Sequence, residues 1–150
     1  MGILEKDESA RVVWLHFGVA ETAPGVRLEQ KAYNMDDFRC PDQDGKSPRE
    51  SKIVDDLELG QAVDSPVDVV GLQKVIDGEV EVGVEVSTDP GRFVCNHLAF
   101  LSYRAASSLS STLSSSPSIL SLFVHIPSSL LLPLPQRQSL LHSLLNHIAN

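Results

Sequence analysis

Aromatic residues make up only 5% of this 150-residue chain, so a core has to be assembled from Leu, Val and Ile rather than from stacked rings. Cysteine is equally scarce. Cys40 and Cys95 allow at most one disulfide, which excludes a small fold held by several bridges and fits reduced thiols in a cytoplasmic setting. Acidic residues are missing from the second half: residues 91–150 carry three Arg and no acid, net +3, whereas residues 1–90 hold twenty Asp and Glu against nine Lys and Arg, net -11. An acidic chain repels phosphate backbones, and its few cations form no cluster interleaved with aromatics, so nucleic acid is not an expected partner. No apolar run is long enough to span a bilayer, because the stretch 119–135 is interrupted by His125, Pro127, Pro133 and Pro135. MGILEKDESA has neither the apolar core nor the cleavage pattern of a secretory signal, and Lys6 stands where a myristoylation pattern has Ser or Thr. A soluble protein without a membrane partner is expected.

The length suits a single domain over residues 1–150, able to bury roughly two-thirds of the surface its unfolded chain exposes. Arg11 to Val19, RVVWLHFGV, is rich in β-branched and aromatic residues and predicts a first strand. The following stretch to Ser51 is dense in Pro, Gly, Asp and Asn and reads as a long functional loop. A Pro-started helix is predicted over Val63 to Asp77, and the strict alternation of Val80, Val82, Val84 and Val86 predicts a strand over Val80 to Val86. After the turn Ser87-Thr88-Asp89-Pro90-Gly91, apolar spacing from Arg92 onward predicts a helix with Cys95 in its first turn. Residues 105–118 are Ser-rich and read as a low-complexity loop. Ile119 to Ile126 predicts a third strand, and Gln136 to Ile148 an amphipathic helix. This order is that of an α/β domain with a mostly parallel sheet, whose functional groups gather at the C-terminal ends of strands, where Cys95 and His125 both fall.

A thiol at a helix N-terminus meets unpaired backbone N–H groups and aligned peptide dipoles, which favour its nucleophilic, ionised form. An imidazole can hold that thiolate and later protonate a leaving amine, and a carboxylate on the other ring nitrogen fixes the tautomer. Composition favours the plainer view that a lone helical Cys is a small buried hydrophobe. His16, His97, His125, His142 and His147 all compete for the role of base, and spacing does not choose among them. Cys95 with His97 supplies too few ligands for a metal, and no Cys-x-x-Cys or His-x-x-x-His pairing occurs, so no metal is expected.

Three blocks carry a resemblance. FGVAETAPGVRLEQKAYNMDDFRCPDQDG, STDPGRFVCNHLAFLSYR and SLFVHIP, spanning about residues 12–127, resemble in order and separation the blocks of the pyroglutamyl peptidase I family, especially its plant members. The resemblance implies a three-layer α/β/α sandwich with a mostly parallel sheet and a cysteine-type omega peptidase that releases N-terminal pyroglutamate from peptides without any cofactor. It implies Cys95 as nucleophile, His125 as base and Glu29 as the group orienting the base. Arg39 corresponds to the family's Arg near the oxyanion. Peptides with N-terminal pyroglutamate are the implied partners, and association into a homo-oligomer is compatible with the family.

Departures from the family pattern define a second reading. The blocks start at what is usually a middle strand, so the sheet and the aromatic loop that encloses the lactam are expected to be incomplete at the N-terminus. Pro90 stands where the family has Ala, which removes an N–H close to Cys95. The Ser-rich segment and the run after Pro127 leave the family pattern as well. The alternative is a catalytically inactive fragment or pseudoenzyme that acts as a binding protein.

Overall fold

Period-two alternation in the last strand decides which groups face which layer. The computed structural model describes residues 11–112 and 118–149. In chain order its elements are β1 (Arg11–Val19), β2 (Val26–Glu29), β3 (Lys31–Tyr33), β4 (Ala62–Asp64), α1 (Val69–Ile76), β5 (Val84–Ser87), α2 (Val94–Thr112), β6 (Ser118–Ile126) and α3 (Leu134–Ile148). MGILEKDESA, read above for targeting signals, lies outside the described residues.

The main sheet has the order β1-β6-β2-β5. β1 pairs with β6 in parallel from Arg11 opposite Ser118 to Val19 opposite Ile126, and β2 pairs with β5 in parallel. The central β2–β6 ladder is antiparallel. Two of the three ladders are therefore parallel, as expected of a mostly parallel sheet, with one reversal at its centre. β3 and β4 form a separate antiparallel pair.

Successive strand side chains point to opposite faces, and the burial follows this rule. Leu122, Val124 and Ile126 of β6 join Val26 and Leu28 of β2 in one cluster with Leu72 and Ile76 of α1 and Leu140, Leu144 and Ile148 of α3. Phe123 points the other way, into a second cluster with Ala32 and with Ala99, Phe100 and Tyr103 of α2. The sheet is thus sandwiched, with α1 and α3 on one face and α2 on the other. β1 forms one edge, where Val12, Phe17 and Val19 are exposed.

Several expectations need correction. The stretch to Ser51 is not one loop, because it contains β2 and β3, four and three residues long. Such short segments gain nothing as strands alone and form only by pairing with distant partners. The helix expected from Val63 starts at Val69, since Ala62–Asp64 pairs with β3 and Asp68 caps α1, its Oδ1 accepting the Gly71 N–H at 3.0 Å. Only the second half of the alternating Val80–Val86 run is a ladder strand. The Ser-rich segment is helical as far as Thr112, where Ser111 and Thr112 hydroxyls both donate to the Ser108 carbonyl, and Ser118 begins β6; residues 113–117 lie outside the described residues. The last helix begins two residues early, with Pro135 in its first turn where a missing N–H costs nothing. Among the described residues, no helix is long and apolar enough to cross a membrane.

Candidate active site

The antiparallel β2–β6 ladder, rather than a shared row of strand ends, brings two sequence-distant polar groups together. Glu29 lies opposite Phe123, so His125, two residues along β6, is its diagonal neighbour on the same face. His125 Nδ1 and Glu29 Oε1 are 2.7 Å apart, and both side chains are buried. A carboxylate only accepts, so Nδ1–H is the donor and Nε2 is left for another partner. Burial pushes the His125 pKa down, but hydrogen bonds from the ring to Cys95 and Glu29, reinforced by their charges, outweigh it and raise the pKa to about 9. Glu29 Oε2 is buried with no hydrogen-bond partner among the described residues, so the carboxylate depends on the imidazolium for compensation.

Cys95 enters from α2, above the same face. The turn before it is self-wired: Asp89 Oδ1 accepts the Gly91 N–H at 3.0 Å and the Arg92 guanidinium at 2.7 Å. Gly91 has φ 81°, a left-handed conformation that a side chain disfavours. The Arg92 guanidinium lies 4.0 Å from the centre of the Tyr33 ring. Asn96, fully buried, ties this helix start to β3 by accepting the Tyr33 N–H at 2.8 Å and donating to the Tyr33 and Met35 carbonyls at 2.9 Å each. Asn96→Ala would take the side-chain partner from the Tyr33 N–H and the Met35 carbonyl, while the Tyr33 carbonyl keeps the Met35 N–H at 2.7 Å, and we expect it to cost about 2–3 kcal/mol and to lower the melting temperature by roughly 4–10 °C. A calorimetric melting point within a degree of the parent would contradict this role.

One hydroxyl joins all three elements. Cys95, Ala99 and Tyr103 follow one another along one face of α2 at four-residue spacing, and the buried Tyr103 hydroxyl donates to the Glu29 carbonyl at 2.6 Å while accepting the Phe123 N–H at 3.0 Å. It bridges the two backbone groups of the register pair next to the imidazole–carboxylate contact. Burial raises its phenol pKa far above the ordinary value, so it remains a neutral donor. Tyr103→Phe is expected to cost about 1–3 kcal/mol and to speed amide exchange at Phe123; unchanged exchange there would remove the bridge from the account. On the other side Gly18 lies opposite His125, where an added Cβ would sit 2.9 Å from the Phe123 ring and 3.1 Å from His125 Cδ2. A side chain at position 18 would therefore push on the imidazole.

Of the residues singled out from sequence, Glu29 and His125 hydrogen-bond to each other, and Cys95, packed against the Phe123 cluster, is close enough to raise the His125 pKa. Arg39 does not join their hydrogen bonds: it is exposed on the loop after Phe38. That loop nevertheless packs against the approach to Cys95, since Phe38 stacks edge-on against Phe93 with centroids 4.7 Å apart and Asp37 N–H donates to the Arg92 carbonyl at 3.0 Å. Sequence reasoning missed Asn96, Tyr103 and Gly18. Four-residue spacing from Cys95 pointed at Tyr103, but nothing in the sequence indicated what its hydroxyl would reach. Among the competing histidines, His16 hydrogen-bonds Ser102 at 2.8 Å, His97 pairs with Asp36 and His147 with Glu79. No three His, Cys, Asp or Glu side chains among the described residues converge as a metal site requires.

The family model described as pyroglutamyl peptidase matches residues 3–137. The pyrrolidone-carboxylate peptidase of Treponema denticola is 29% identical over 115 residues, covering 77% of this chain and 50% of that protein. That of Lactobacillus acidophilus is 30% identical over 134 residues, covering 80% of this chain and 61% of that protein. The crystal structure of Bacillus amyloliquefaciens pyroglutamyl peptidase I superposes with a TM-score of 0.64 at 26% identity, covering 77% of this chain and 52% of that one. The pyrrolidone carboxyl peptidase of Fervidobacterium islandicum gives 0.62 at 28% identity, covering 77% and 51%. The chain thus spans about half the length of the relatives it matches.

Proposed function

The chain belongs to the pyroglutamyl peptidase family, and from that premise we propose that it is a cysteine-type omega peptidase that releases N-terminal pyroglutamate from peptides through Cys95, His125 and Glu29. The observation that carries this reading is the buried 2.7 Å contact between His125 Nδ1 and Glu29 Oε1, on a ring whose pKa Cys95 and Glu29 together raise.

Cys95 Sγ attacks the carbonyl carbon that joins the pyroglutamyl ring to the next residue. A proton affinity near pH 9 keeps His125 an imidazolium at neutral pH, ready to protonate the departing amine as the C–N bond breaks. Glu29 fixes the ring so that Nε2 faces the sulfur and compensates its charge. Water, losing a proton to the now neutral ring, then splits the thioester, releasing pyroglutamate, expelling Cys95 Sγ with its electron pair and returning the sulfur and the imidazolium to their starting state. The tetrahedral intermediate carries a negative oxygen, and Arg39, on the loop packed against Phe93, supplies its positive charge in this reading.

Release of fluorophore from pyroglutamyl-aminocoumarin by the purified chain tests the proposal. No release by a chain whose calorimetric melt shows it folded would overturn it in favour of a catalytically silent binding relative.

A further inference from the structure

Gly18 is a glycine that its own backbone does not require. It stands in β1 among Trp14, Leu15, His16, Phe17 and Val19, and its φ lies outside the left-handed region that Gly45, Gly60, Gly78 and Gly91 adopt. A glycine inside a strand weakens it and marks a close approach by a neighbouring group. Here two rings approach: a Cβ at position 18 would lie 2.9 and 3.0 Å from Phe123 Cζ and Cε1 and 3.1 Å from His125 Cδ2.

Neither ring is free to move. Phe123 is buried among Ala32, Ala99, Phe100 and Tyr103, and its backbone N–H is held by the Tyr103 hydroxyl at 3.0 Å. His16 and His125 both lie against its ring, with centroids 6.3 and 5.0 Å away. The His125 ring lies across the sheet between Gly18, its register partner on β1, and Glu29 on β2. Nδ1 is anchored on the Glu29 side at 2.7 Å, and Cδ2 faces Gly18. Cδ2 is bonded to Nε2, the nitrogen left for the sulfur, so a methyl pressing on Cδ2 would turn Nε2 about the anchored edge. Arg27, opposite His125 on β2, is engaged by Glu85 at 2.7 Å, which leaves Glu29 and Cys95 as the groups acting on the ring's charge.

We propose that Gly18 is a positioning residue for the reaction: by leaving the β1 side of His125 clear, it lets the imidazole keep its place against Glu29 with Nε2 available to Cys95. The assignment deepens the reading of Cys95, His125 and Glu29 and rests on it.

In Gly18→Ala, kcat for pyroglutamyl-aminocoumarin is expected to fall about tenfold or more, with KM close to the parent's, because the methyl presses on the ring that moves the proton. The His125 ring, followed by NMR without substrate, should titrate below the parent's value of about 9, since a ring turned away from Cys95 and Glu29 loses the partners that raise it. A ring that titrates as in the parent, whatever happens to activity or melting temperature, would overturn the proposal: the edge strand would have bent away, leaving Gly18 a packing residue. Should Gly18→Ala fail to melt cooperatively, it is combined with Phe123→Leu, which removes the ring atoms at 2.9 and 3.0 Å but not the approach to Cδ2. The double variant is expected to titrate below Phe123→Leu alone; equal titration would assign the crowding to Phe123 and overturn the proposal. The titration needs no turnover and so separates the two readings. A chain that hydrolyses nothing but whose ring titrates lower in Gly18→Ala keeps the clearance at Gly18 while the peptidase reading fails; an active chain with an unmoved ring does the reverse.

Discussion

Replacing Cys95 by Ala is expected to lower pyroglutamyl-aminocoumarin hydrolysis by at least about a thousandfold, as removal of a covalent nucleophile does elsewhere, while the protein still melts cooperatively. The two halves of this expectation have separate causes. The sulfur is the only atom in the proposed mechanism that forms a bond to the acyl carbon, so no neighbour substitutes for it. Its packing contribution is small: Cys95 is half-buried against Ala99, Phe100, Tyr103 and Phe123, and the helix start is held by Asn96 and the Asp89 turn. Loss of one small half-buried group is expected to cost about 1 kcal/mol, or roughly 2–4 °C in melting temperature. A Cys95→Ala protein that keeps a tenth of the parent rate would show that another group performs the attack.

Glu29→Gln is expected to act on rate and on stability, with a pH dependence that identifies the charge. Activity should fall on the order of a hundredfold or more, because the amide no longer compensates the imidazolium and can present its NH₂ to Nδ1, which selects the wrong tautomer. For stability the sign follows from His125, whose pKa is raised from 6.5 to about 9 in the folded chain by Cys95 and Glu29 against the opposing effect of burial. A group with a raised folded pKa contributes stability fully below its unfolded value and loses it as pH climbs through the folded value. The gap between parent and Glu29→Gln should therefore be widest below about pH 6.5, at about 2 kcal/mol for a hydrogen bond to a charged group, and should close as pH rises through about 9. Melting temperatures of both proteins from pH 6 to 10 measure it. A gap that stays constant across that range would mean that the ring is neutral and that the pair is an ordinary hydrogen bond.

Strands and helices with a strong internal period were legible in the sequence. RVVWLHFGV forms β1 with the expected bounds, ILSLFVHI forms all but the first residue of β6, and Leu140, Leu144 and Ile148 form the buried stripe of α3. These segments declare themselves because their own side chains create the apolar face that has to be buried. VRLE and KAY do not. They are four and three residues long, and they become strands because β5, β6 and β4 lie alongside them. The alternation Val80–Val86 overstated its strand for the converse reason, since β2 offers β5 only four residues to pair with. The Ser-rich run has a helix-compatible composition without an apolar stripe, and it continues α2 because the helix already formed ahead of it adds each further hydrogen bond at little cost.

The sequence by itself determined the reagents, namely a thiol at a helix start, an imidazole at a strand end, and a carboxylate inside a Pro- and Gly-rich stretch. Spacing alone did not choose among five histidines, and the resemblance of SLFVHIP singled out His125; what an imidazole's two nitrogens reach lies up to 96 residues away along the chain. Only the tertiary structure decided which carboxylate each of His97, His125 and His147 meets. By reversing β2 against β6 it placed Glu29 diagonal to His125, by parity it turned both towards α2, and through Tyr103 it tied the three elements at one hydroxyl. Strand direction and register belong to the pairing of distant segments and are not encoded in either segment alone.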